Sequence, residues 1–317
     1  MSFKLRLFLA VLVVIGAGVI LVATRGLQAP GEQTVTIGGK QFTEQEIIGE
    51  LMAALIESNS EIKVQRRLNL GGTMICFNAL KAGDLDLYAE YTGTGLVNIL
   101  KREAIADPEE TYGVVKEAFK QQFDLVWLKP FGFNNTYTLT MRKDHAEKLN
   151  IRTISELANF VNRAELQDEP ERLKAGFDAE FLTRPDGYLG LKKEYGFEFA
   201  SQPRQMDPGL MYRAVADGAV DVIDGFATDG RIPAYDLQVL EDDKGFFPPY
   251  YAAPLVRAET LERFPQLEQV LNSLAGKLRD DVMQQLNYQV DEEGRKAADV
   301  AREFLVSEGL IQDLAAE

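Results

Sequence analysis

The sequence predicts an α/β protein of two lobes joined by a hinge of two chain crossings. One observation behind this is a repeat. Residues 79–95 (ALKAGDLDLYAEYTGTG) run from a helix end through a short strand into a loop dense in Tyr, Thr and Gly, and residues 214–230 (AVADGAVDVIDGFATDG) follow the same plan. Gly83, Asp86, Tyr91 and Gly95 correspond to Gly218, Asp221, Phe226 and Gly230. Two α/β units that each offer an aromatic from the carboxyl end of a strand would form the walls of a cleft, the place where open α/β sheets bind ligands. A second observation is size, since 317 residues with 46% hydrophobic content suffice for roughly two domains. The third is the alternation of strand and helix periods along the chain, broken by two passages where it would change lobes.

Lys4 and Arg6 precede an apolar run over 7–23, followed by Arg25. Residues 1–25 read as an export signal or an N-terminal membrane anchor, with 26–33 as a spacer. Residues 34–37 alternate as a strand and meet the glycine turn at Gly38 and Gly39. Thr43 and Glu46 have capping-box spacing, and Ile47, Ile48, Leu51 and Leu55 keep helical spacing behind them. Residues 62–66 form a second strand, and Gly71 and Gly72 open a helix over 73–82. Both helix starts present free N–H groups that favour an anionic group. A strand over 85–88 and the loop 90–95 complete the first β-α-β-α-β run, followed by a helix over 108–122 and a strand over 125–128.

Residues 131–141 begin as loop and end as strand, the first crossing. A helix starts at Ser155, 177–182 fits a strand, 184–187 (RPDG) is turn chemistry, and 189–195 is a short helix stopped by Gly196. After a helix over 211–217 and the second copy of the repeat, 234–240 reads as the return crossing. Residues 242–251 are loop, 253–256 strand, and the rest helical, with Gly276, Gly294 and Gly309 at helix ends. The first lobe thus comprises 34–135 and 236–317, the second 136–235.

A formal charge of −15 without a cluster of Lys and Arg excludes a nucleic-acid partner on electrostatic grounds. The single cysteine, Cys76, excludes an internal disulfide and a cysteine metal cluster; it reads as a small buried hydrophobe. His145 is the only histidine, and no nucleophile or metal-ligand spacing accompanies it, so no enzyme, cofactor or metal is expected.

Six ordered motifs cover nearly everything after residue 33: 39–45 (GKQFTEQ), 70–73 (LGGT), 90–95 (EYTGTG), 132–137 (GFNNTY), 228–232 (TDGRI) and 242–250 (DDKGFFPPY). In these the chain resembles the osmoprotectant-binding subunits of ABC importers, the glycine betaine, carnitine and choline binders with the type II periplasmic binding-protein fold. The resemblance implies capture of a quaternary-ammonium solute in the periplasm by a monomer and its delivery to an inner-membrane permease with a cytoplasmic ATPase. A trimethylammonium group donates no conventional hydrogen bond, so aromatic faces hold it, each contributing about 0.5–2 kcal/mol. Tyr91, Tyr137, Phe226 and Tyr250 match the family's cage, Phe226 standing where a Tyr is expected. Lys40, Thr94 and Arg184 match its carboxylate-binding positions, with Thr92 and Thr73 as alternatives to Thr94, and Asn135 adds a contact near the cation. Lys40 alone would be a rim lysine, and Arg184 could instead pin its turn through Asp186. Asp229 and Arg231 are expected to form a lobe-stabilising ion pair. Another small cationic or zwitterionic solute, such as an amino acid, is the alternative ligand.

Overall fold

The computed structural model describes residues 33–166 and 172–312; the leader at 1–25 lies outside the described residues. The chain divides into Met1–Thr34 and Val35–Glu317. Two five-stranded sheets organise the described residues. The first contains β1 (Thr34–Gly38), β2 (Lys63–Arg67), β3 (Leu87–Tyr91), β4 (Leu125–Trp127) and β10 (Ala252–Arg257), in the order β2-β1-β3-β10-β4. The second contains β5 (Tyr137–Arg142), β6 (Ala175–Phe177), β7 (Arg204–Gln205), β8 (Val222–Phe226) and β9 (Leu237–Val239), in the order β7-β6-β8-β5-β9.

The repeat seen in the sequence occupies the same place in both sheets, because β3 and β8 are each the third strand. In each, a glycine in the left-handed region ends the preceding helix, Gly83 at φ 83° and Gly218 at φ 75°. The aspartates three residues on make matching bonds. Asp86 accepts from Thr36 N at 2.8 Å, and Asp221 accepts from Lys174 N at 2.8 Å. Each repeat strand is flanked by one antiparallel neighbour that comes from elsewhere in the chain. Tyr91 sits opposite Ala252 of β10, and Phe226 opposite Tyr137 of β5.

Helices cover the sheets. The first, α1 (Thr43–Asn59), buries Ile47, Ile48, Leu51 and Leu55, the positions its spacing marks, together with Met52 and Ile56. It packs against two C-terminal helices, Asp280–Asp291 and Ala297–Ser307. Next come α2 (Thr73–Ala82) and α3 (Pro108–Phe123), where Asp107 caps the start by accepting from Glu110 N at 2.8 Å. Cys76 is fully buried beside Phe77 and Phe119.

Three local expectations yield to tertiary contacts. The Thr43 hydroxyl does not cap α1; it donates to Asp291 Oδ1 at 2.6 Å, and Phe42 occupies the cap position. The strand expected at 177–182 ends at Phe177, because the Asp178 carboxylate accepts from Glu180 N at 2.6 Å and Phe181 N at 3.2 Å and starts a one-turn helix, Ala179–Thr183. Residues 234–240 do not cross between sheets. Pro233 lies in a helical turn, Arg231–Ala234, and Leu237–Val239 pairs with β5 through Thr140↔Val239. The chain stays beside the second sheet through Glu241, whose N–H donates to Arg152 O at 2.9 Å, so that lobe extends past residue 235. The return passage is the loop after it, and it runs next to the outgoing one. Asn134 and Tyr251 form a bridge, and Asn135 N donates to Tyr250 O at 3.1 Å.

A candidate ligand site between the two sheets

The carboxyl ends of β3 and β8, the two crossings and the starts of α1 and α2 converge on one small cavity of about 70 Å³. All eight residues singled out in the sequence line it: Lys40, Tyr91, Thr94, Asn135, Tyr137, Arg184, Phe226 and Tyr250. Phe42, Thr73, Asp178 and Glu180 join them.

The aromatic wall is built from the strand ends. Tyr137 and Phe226, opposite one another in register, place their ring centroids 5.4 Å apart, and Tyr250 stands perpendicular to Tyr137 at 5.6 Å. Phe42 stacks on Phe226 at 5.4 Å and on Tyr91 at 6.3 Å, so it lies between the two repeat aromatics. Two hydroxyls are tied to carboxylates. Tyr91 donates to Glu44 Oε1 at 2.7 Å and Tyr250 to Asp186 Oδ2 at 2.6 Å. Burial pushes the hydroxyls of Tyr91, Tyr137 and Tyr250 well above the ordinary phenol value, so these rings stay neutral and electron-rich.

The two cations reach the cavity already partnered. Lys40 Nζ pairs with Glu90 Oε1 at 2.6 Å, donates to Thr73 Oγ1 at 3.0 Å, and lies 5.1 Å from the Tyr91 ring centroid. Arg184 grips Asp186 with both arms, Nε to Oδ1 at 2.8 Å and Nη2 to Oδ2 at 2.5 Å, which is the turn-pinning arrangement. It also donates to Thr94 Oγ1 at 3.2 Å and rests 5.2 Å from the Tyr137 ring centroid. Thr92 turns away, donating to Pro249 O at 2.9 Å. Asp229 and Arg231 form the expected ion pair at 2.6 Å, with Tyr212 under the guanidinium.

Glu180 and Glu44, like Asp178, escaped the sequence reading. Glu180 crosses from the second sheet's side to α2, accepting from Thr73 N at 2.5 Å and Thr73 Oγ1 at 2.9 Å. Burial raises its affinity for a proton, but the charges of Lys40 and Arg184 and the Thr73 donors outweigh that and hold it below the ordinary carboxylate range. Glu44, buried behind Tyr91, accepts from Tyr91, Asn135 at 2.8 Å, Asn287 at 3.3 Å and the Thr228 hydroxyl, and burial raises its carboxyl. Phe42 and Glu44 stand inside the 39–45 motif, so position in that motif was the available signal. Glu180 had none, because it lies in a stretch that reads as strand.

The family described as "Substrate binding domain of ABC-type glycine betaine transport system" matches residues 33–307. The chain belongs to this family. A carnitine transport binding protein of Listeria monocytogenes is 39% identical over 282 residues, which cover 88% of each chain. An ergothioneine transport permease/ergothioneine binding protein of Helicobacter pylori is 37% identical over 280 residues, 88% of this chain and 48% of that longer one. A crystal structure of a glycine betaine/carnitine/choline ABC transporter superposes with a TM-score of 0.70 at 39% identity, covering 87% of this chain and 99% of the other. The binding protein thus has the two-lobed periplasmic binding-protein fold. It is the substrate-binding component of an ABC importer, a class that acts outside the cytoplasm and serves transport rather than catalysis. Among the described residues, no helix is long and apolar enough to cross a membrane.

Proposed function

We propose that this binding protein captures a small quaternary-ammonium solute of the glycine betaine, choline or carnitine type between its lobes. The observation that carries the reading is the ring of Tyr91, Tyr137, Phe226 and Tyr250, extended by Phe42, around one small cavity. Aromatic faces are the surfaces that attract a cation without hydrogen-bond donors. Hydrogen bonds from Tyr91 and Tyr250 to Glu44 and Asp186 feed electron density into two of those faces. Asn135, at the first crossing, donates to Glu44 and accepts from Thr228 N of the second lobe, and Phe226 keeps the π-face of a Tyr without its hydroxyl. Lys40, Thr94 and Arg184 form the polar end. The names of the relatives, which include carnitine, ergothioneine, glycine betaine and choline, support the same ligand class.

The protein would act as a periplasmic monomer, exported or tethered by residues 7–23, and hand its cargo to a permease driven by a cytoplasmic ATPase. Titration calorimetry with glycine betaine, choline, carnitine and arginine tests the ligand class. Tyr137→Ala is expected to weaken every quaternary amine about tenfold or more, from the lost ring face and the gap it leaves. Binding of arginine without any quaternary amine would overturn the cage.

A further inference from the structure

We infer that Glu180 is a built-in carboxylate that fills the anion position of the cleft and makes the protein select a quaternary-ammonium cation without a carboxylate, such as choline, over zwitterions. This deepens the reading of the cavity as a quaternary-ammonium site and rests on it. The free N–H groups at the start of α2 are where a ligand carboxylate would be drawn. That position is taken: Glu180 accepts from the backbone N–H and the hydroxyl of Thr73, and Arg184 Nη1 approaches it at 3.4 Å. No turn contact requires this reach, since Glu180 comes from the opposite side of the cleft.

Charge counting points the same way. Among the described residues at the cavity, Lys40 is matched by Glu90 and Arg184 by Asp186, each at salt-bridge distance. Arg184 Nη1 also lies 3.4 Å from Glu180 Oε2, so two cations face three carboxylates and the cluster carries one negative charge in excess. A closed cleft of that composition is neutralised by a monocation. A zwitterion adds no net charge, leaves that excess in place, and brings a further carboxylate against Glu180 in a partly desolvated space, where like charges repel strongly. The ligand's hydroxyl, in contrast, is a donor that Glu180 can accept.

Calorimetry on the wild type and on Glu180→Gln, with choline, glycine betaine and carnitine as probes, decides the matter. The wild type is expected to bind choline at least tenfold tighter than either zwitterion. Glu180→Gln, which keeps the shape and removes the charge, is expected to weaken choline, strengthen the zwitterions and shift their ratio at least tenfold. Glu180→Ala should shift the ratio in the same direction, and thermal unfolding monitors that both variants fold. A wild type that prefers glycine betaine, or a ratio unmoved by Glu180→Gln while all three ligands still bind, would overturn the role of Glu180 and leave the cage intact. Failure of all three to bind the wild type would remove the cage and this inference together.

Discussion

At the scale of single residues, the site is defined by how carboxyl groups are satisfied. Asp178 and Asp224 show one extreme. Asp224 Oδ1 accepts from Asp178 N at 2.9 Å, yet the Oδ2 atoms of both side chains are buried without a hydrogen-bond partner. Burial first, and the Asp178 carboxyl second, push Asp224 well above the ordinary value of 3.8. A folded state that binds a proton the unfolded chain releases is most stable below that ordinary value and loses the contribution as pH rises through the folded one. Asp224→Asn removes the titration and lets an amide donate to Asp178. The variant is expected to exceed the wild type in stability at pH 8 by roughly 1–2 kcal/mol and to show a flatter pH dependence. Urea unfolding at pH 5 and pH 8 checks this, and a wild type that gains stability between those values relative to the variant would refute it. The residue scale also shows why Arg184 reads ambiguously in sequence. Its turn supplies Asp186 two residues on, while the contact with Thr94 comes from the segment that follows β3.

At the scale of elements, the order of the repeat was legible, because helix end, glycine, strand and aromatic depend on residues within one short stretch, whereas the bonds of Asp86 and Asp221 to Thr36 and Lys174 join segments 50 and 47 positions apart. The segment after β3 was not. Thr94–Ile99 winds as a π-helical segment, a form associated with functional sites, and Gly93 at its start lets the chain pass under Tyr250. A methyl group at Gly93 would meet the Tyr250 ring at 2.8 Å and Pro249 O at 2.9 Å. Pro249 O is itself held by the Thr92 hydroxyl, so the ring must give way. Gly93→Ala is therefore expected to cost about 1–3 kcal/mol of stability and to weaken quaternary-amine binding about tenfold, read by thermal unfolding and calorimetry. Unchanged affinity would show that Tyr250 is not a cage wall. The strand expected at 177–182 and the crossing expected at 234–240 were missed for a common reason. Apolar alternation over a few residues is shared by strands and short helices, and only Asp178 as a cap, or β5 as a pairing partner, separates the cases.

At the scale of the whole molecule, bonds across the cleft join the lobes: Thr73 to Glu180, Arg184 to Thr94, and Glu44 to Thr228. Ligand capture and closure are expected to be one event. In small-angle scattering, adding choline should lower the radius of gyration of the wild type, while Tyr137→Ala at the same choline concentration should stay expanded. A wild type that binds choline with no compaction would separate the two. From its sequence alone this protein has a determined fold class, the paired repeat, and the identity of the eight residues that reach the cavity. Periodicity and turn chemistry are local, and ordered motifs carry the rest. Only the tertiary structure decided how those residues are charged and held. The partners of Lys40, the reach of Glu180 to Thr73 across 107 positions, and the link from Glu44 to Thr228 across 184 arise when distant segments are brought together, and no local pattern encodes such a meeting.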